Sequence, residues 1–180
     1  MHNSIEGGIK TIDHAFYPDD EAIEMGKKKG VIFVSTLSIM KRINEGGVEA
    51  GYPEWAVQKS REAWDTVVKN ISKLREAGAT VASATDFIGS KLMKMGTNAL
   101  ELELLVKHSG FKPMDAIVAA TFNGAKACCL EDKIGSIEKG KLADIIIVDG
   151  DPLKDITILQ NVDRIKMVMK EGAIEMNRGL

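Results

Sequence analysis

Residues 31–36 read VIFVST, an unbroken apolar run rich in β-branched side chains. A strand with one face in water alternates apolar and polar residues. A run without alternation is a strand covered on both faces, as in a parallel sheet flanked by helices. The neighbouring sequence agrees. DDEAIEMGKKKG (19–30) predicts a helix: Asp19 or Asp20 can cap it, acids crowd its first turn and lysines its last, and Gly30 can end it. Gly8 to His14 predicts a strand before it. LSIMKRINEGG (37–47) predicts a helix that breaks at Gly46-Gly47. PEWAVQKSREAWDTVVKNISKLREAG (53–78) predicts a longer one, with Pro53 at a first helical position and Gly78 as its C-terminal cap. Val57, Trp64, Val68, Ile71 and Leu74 fall on roughly one face, which makes this a packing helix. ATVASATD (79–86) is then a further strand, ending at Asp86.

After a glycine-containing loop, TNALELELLVKHSG (97–110) predicts a helix with Thr97 as its cap and a Glu103–Lys107 pair one turn apart. KPMDAIVAATFNGAKACCL (112–130) predicts another, with Pro113 near its start. Beyond Leu130 the texture changes. IGSIEKGKLADIIIVDGDP (134–152) reads as turn, strand, turn. DRIKMVMKEGAIEMN (163–177) alternates, with Ile165, Met167 and Met169 on one side, as in a half-exposed antiparallel strand that turns at KEG into a short last strand. The expected fold class is α/β: a body over residues 1–132 followed by a small β element over 133–180.

Composition narrows the function classes. The chain has 180 residues, 44% apolar and 28% charged, with a formal net charge of −2 and no basic block. Nucleic-acid binding needs clustered Lys or Arg and is disfavoured. No apolar run reaches the roughly 18 residues of a membrane span, and nothing resembles a signal peptide, so the cytoplasm is the expected location. Cys128 and Cys129 are adjacent, a poor geometry for a mutual disulfide, and lack C-x-x-C spacing. They read as small buried apolar residues in a reducing compartment.

Ligands of parallel α/β proteins bind beyond the carboxyl ends of the strands. His14 follows the first expected strand and Asp86 the third. Imidazole nitrogen and carboxylate oxygen suit a divalent ion such as Zn²⁺, and Asp86 could be a ligand, the general base on a bound water, or both. The alternative is loop hydrogen bonding or helix capping. Asp13 would face the opposite side if the strand reaches it. His108 sits in a last helical turn, where it suits the helix dipole, and His2 has no nameable partner. Neither G-x-x-x-x-G-K-[ST] nor G-x-S-x-G occurs.

Four stretches occur in a telling order: GGIKTIDHA (7–15), GATVASATD (78–86), NALELELLVKHSGFKPMDAIVAATFNGAKACCLED (98–132) and KIGSIEKGKLADIIIVDGDPLKDI (133–156). Together they resemble the C-terminal half of the amidohydrolase superfamily, most of all its imidazolonepropionase-like and Xaa-Pro dipeptidase-like branch. The resemblance implies a metal-bearing (β/α)₈ barrel with a small β-sandwich built from both chain ends. This chain would supply about strands 6 to 8 and one side of the sandwich. His14 matches the ligand closing the sixth strand and Asp86 the acid closing the eighth. Asp86 would then ligate metal, most simply zinc, and shuttle a proton from water to the leaving amine of an amide, dipeptide or lactam. The family's H-x-H pair, its bridging lysine or glutamate and its fifth-strand histidine have no counterparts here. KLMKMGTN (91–98) stands where a histidine-glycine pair is often found. The expectation is a C-terminal fragment, inactive as an isolated chain. The alternative is a non-catalytic scaffold that covers its open barrel edges by self-association or with a partner.

Overall fold

In the computed structural model, which describes residues 1–179, the run at 31–36 becomes a four-residue strand buried at every position. It is the centre of a three-stranded parallel sheet made of β1 (Thr11–Ile12), β2 (Ile32–Ser35) and β3 (Val81–Ser83). The register sets Thr11 opposite Ile32, Phe33 opposite Val81 and Ser35 opposite Ser83. Alternation splits the sheet into two apolar faces. Ile12, Phe33 and Val81 join the main core with the helices. Ile32, Val34 and Ala82 form a second, smaller cluster against Ala84 and Ala127. Burial on both faces is why the run shows no polar alternation.

The helices are α1 (His2–Glu6), α2 (Asp20–Lys29), α3 (Leu37–Gly46), α4 (Glu54–Glu76), α5 (Leu100–Ser109), α6 (Pro113–Ala120) and α7 (Phe122–Ala127). In α2 the Asp19 carboxylate accepts from the Ala22 amide, and this bond, with help from His2, holds its pKa below the usual carboxylate range. Gly30 ends α2 at φ 68°, where Gly30 N–H donates to Lys27 and Val31 N–H to Gly26. Gly26 lets α2 lie on the sheet: a Cβ there would stand 2.5 Å from the Phe33 ring. Val57, Val67, Ile71 and Leu74 of α4 are buried, Trp64 and Val68 partly so, and Gly78 at φ 70° terminates the helix as its sequence suggests.

Beyond α7 the chain forms an antiparallel sheet of β4 (Ile145–Val148), β5 (Ile165–Lys170) and β6 (Ala173–Asn177), in that order. Glu171 and Gly172, both at positive φ, make the two-residue turn between β5 and β6. Ile146, Ile147 and Ile174 are exposed on this sheet. The 3₁₀ segment Ile156–Gln160 leans back on α5 and buries Ile156 in the main core. No helix among the described residues is long and apolar enough to cross a membrane.

Several local expectations need correction. The strand expected over 8–14 is only Thr11–Ile12, because residues 2–6 are helical and Gly8 turns at φ 87°. Pro53 is the N-cap of α4, not its first helical residue. Thr97 does not cap α5; its hydroxyl donates to Lys94 O instead. The helix expected over 112–130 breaks at Thr121 (φ −113°, ψ −83°) into α6 and α7. Cys128 and Cys129 are exposed, because they stand in the turn leaving α7, with Cys129 at φ 56°.

Candidate functional site

The carboxyl ends of the three parallel strands bring His14, Thr36 and Asp86 together. His14 follows β1 in a left-handed conformation (φ 53°), and Asp86 follows β3 in the same one (φ 57°). A non-glycine residue there is strained by about 1–3 kcal/mol and persists only where its surroundings hold it. Buried neighbours do so. Next to His14, Ala15 is fully buried and its N–H donates to Val34 O, while Asn70 donates to Phe16 O. On either side of Asp86, Thr85 and Phe87 are buried, and Phe87 N–H donates to the Thr85 hydroxyl.

His14 Nε2 stands 3.6 Å from Asp86 Oδ2, with both side chains nearly half exposed. The other ring nitrogen, Nδ1, lies 2.7 Å from Thr36 Oγ1, and Phe16 meets the ring edge-on. Sequence reasoning picks out His14 and Asp86, and the fold puts them side by side. Asp13, expected to face away, lines the same cleft of about 370 Å³, since β1 stops at Ile12 and the alternation does not carry on to it. Cys128 also lines that cleft. His2, for which the sequence names no partner, hydrogen-bonds Asp19 at 2.9 Å. His108 is exposed in the last turn of α5, as expected, with Trp64 against its ring.

The donor set suits a divalent ion in kind. Two ligands of one tetrahedral zinc stand about 3.4 Å apart, close to the His14–Asp86 separation. It is short in number, because among the described residues no group of three His, Cys, Asp or Glu gathers around a common point. A larger cleft of about 480 Å³ lies between α6 and the second sheet, where Ile117, Ile146 and Val148 line it. No acid, base or thiol lines that cleft, so it carries no acid–base chemistry.

Glu101 escapes sequence reasoning. It is fully buried; its Oε1 accepts from the Ser35 hydroxyl (2.6 Å) and Leu37 N–H (2.9 Å), and its Oε2 from Ser38 N–H (2.6 Å). Burial pushes its carboxyl above the usual carboxylate range, against the pull of those donors. A signal existed. The buried residues of α5 are Leu100, Glu101, Leu102, Leu104, Leu105 and Ser109. At 3.6 residues per turn they cover an arc of about 200° with Glu101 at its middle.

Comparison with known proteins bears on this site. The model of the Amidohydrolase family matches residues 1–174. Ochratoxinase from Aspergillus niger is 31% identical over 179 residues, covering 98% of this chain and 36% of that protein. Imidazolonepropionase from Thermoplasma volcanium is 26% identical over 170 residues, again 36% of its length. Among solved structures, A. niger ochratoxinase superposes with a TM-score of 0.82 at 29% identity, covering 99% of this chain and 39% of that one. A Xaa-Pro dipeptidase with methionine bound in its active site gives 0.83 at 33%, covering 96% and 41%. The chain thus spans little more than a third of the length of the curated relatives it matches, and its α/β fold is consistent with part of their barrel. With its model matched over residues 1–174, the chain belongs to the Amidohydrolase family.

Proposed function

We propose that this chain is the C-terminal portion of a metal-dependent amidohydrolase that cleaves C–N bonds of an amide, dipeptide or lactam. Residues 1–132 would supply about strands 6 to 8 of the barrel, and 133–180 one side of a composite β-sandwich. The carrying observation is the pair His14 and Asp86, 3.6 Å apart at two parallel strand ends and both held at positive φ. His14 Nε2 and the Asp86 carboxylate would hold the ion, with the remaining ligands coming from outside this chain. The chemistry a zinc ion would supply there is Lewis acidity toward a carbonyl and toward water.

Asp86 takes the proton of the attacking water and passes it to the leaving amine. Thr36 keeps the His14 ring turned so that Nε2 faces that carboxylate. The names of the relatives, which include a dipeptidase and an imidazolonepropionase, support a small amide or peptide substrate. The two exposed thiols suit a reducing cytoplasm.

One observation favours a second reading. β1 and β3 are the outer strands of the parallel sheet, and Ile146, Ile147 and Ile174 are exposed on the second sheet. A scaffold that covers these surfaces with a second copy or a partner chain would use the same fold without catalysis.

The expected result for this chain alone, given zinc and a Xaa-Pro dipeptide, is no turnover. The polypeptide extended upstream of Met1 is expected to hydrolyse a small amide or dipeptide. Turnover by the chain alone would refute the fragment reading. An in-frame stop codon just upstream would favour the scaffold.

A further inference from the structure

Thr36 is the N-cap residue of α3, yet its hydroxyl makes no bond to the helix it precedes. A threonine at that position ordinarily accepts from an amide of the first turn. Here the cap comes from another helix. Glu101 of α5 takes the Leu37 and Ser38 amides, one on each carboxyl oxygen. The hydroxyl that would have capped α3 lies instead 2.7 Å from His14 Nδ1.

We infer that Glu101 is a positioning residue of the candidate site: it caps α3 in place of Thr36 and so leaves the Thr36 hydroxyl to fix the His14 ring. The chain of contact runs from Glu101 through the start of α3 to Thr36 and then to His14, ending at the nitrogen that faces Asp86. Its functional weight rests on the reading of His14 and Asp86 as a donor pair. In Glu101→Gln one acceptor oxygen becomes an amide group that cannot accept from a backbone N–H. One first-turn amide of α3 is then left short, and the hydroxyl of the N-cap residue, Thr36, is the side chain that ordinarily accepts from such an amide. If it turns to the helix, His14 loses its Nδ1 partner and the ring is free to rotate.

The test uses histidine-labelled chain and long-range nitrogen–proton spectra of the imidazole, with hydrogen exchange at Leu37 and Ser38 and a zinc titration alongside. E101Q and Thr36→Val are expected to move the His14 nitrogen signals in the same direction. The double variant should leave them where T36V alone puts them, because Glu101 acts through Thr36. T36V should also leave the Leu37 and Ser38 amides protected, a readout that stands even if E101Q fails to fold. E101Q is expected to weaken zinc uptake about 10–100-fold, as for other groups that orient a ligand histidine.

An E101Q chain with unmoved His14 signals would overturn the inference. So would loss of amide protection in T36V, since Thr36 would then be the cap. The donor-pair reading fails separately, and only there, if zinc uptake ignores Asp86→Ala and His14→Ala while the ring signals still respond to E101Q.

Discussion

Glu101→Ala is expected to lower the unfolding free energy by about 3–5 kcal/mol, because three buried neutral donors lose the acceptor they share. Ser35, Leu37 and Ser38 are themselves buried, so the Ser35 hydroxyl and two amides lose their acceptor with no water to replace it. Each stranded donor costs about 1–3 kcal/mol. For a chain of this size, 1 kcal/mol moves the melting temperature by about 2–4 °C, so the expected fall is roughly 10 °C. Denaturant and thermal unfolding check it, and a change under about 1 kcal/mol would contradict it. The conservative E101Q adds a pH signature. Because burial raises the Glu101 pKa in the fold, the native chain holds that proton more tightly than the unfolded chain. The associated stability is fully present below the ordinary glutamate range and is lost as pH rises through the raised value. E101Q lacks this descent.

In the polypeptide extended upstream of Met1, Asp86→Asn is expected to cut turnover by about 10²–10⁴-fold, the usual contribution of a positioned proton-transfer group. The substitution is clean for a structural reason. Asp86 sits at φ 57°, a conformation that asparagine also tolerates, so the backbone at the end of β3 need not move. Size and one acceptor oxygen are kept, while the negative charge is lost, and with it the carboxylate's capacity to take a proton and to hold a cation. Asp13→Asn lies in the same cleft without facing His14 at ion-pair distance, and it should have a much smaller effect. Turnover within a factor of about ten of wild type in D86N would remove Asp86 from the proton-transfer role.

The features most legible in the sequence are those with a local cause. VIFVST reads as a doubly covered strand because Val31 to Val34 are apolar without alternation, and Asp19 and Gly30 bracket α2 as cap and terminator. His14 and Asp86 were visible because a polar residue closing a strand in a parallel sheet faces the ligand-binding end. Features that depend on how the backbone turns were not visible. Thr97 looks like a cap in sequence, but its hydroxyl turns back to Lys94 O. The break at Thr121 lies in an apolar stretch whose composition favours one continuous helix. Residue type alone points Cys128 and Cys129 to the interior, whereas the turn after α7 leaves them exposed. Glu101 was hidden because an acid between leucines reads as the wet side of a helix; the full helical wheel puts it at the centre of the buried arc.

The most direct test of the account is a calorimetric zinc titration of this chain beside H14A and D86A. Two donors give far less than the four ligands of a complete tetrahedral site, so weak, saturable uptake of one ion per chain is expected. Both substitutions should abolish it, because each removes one of the two groups that stand 3.6 Å apart. Uptake that persists undiminished in either variant would contradict the claim that His14 and Asp86 form half of a metal site.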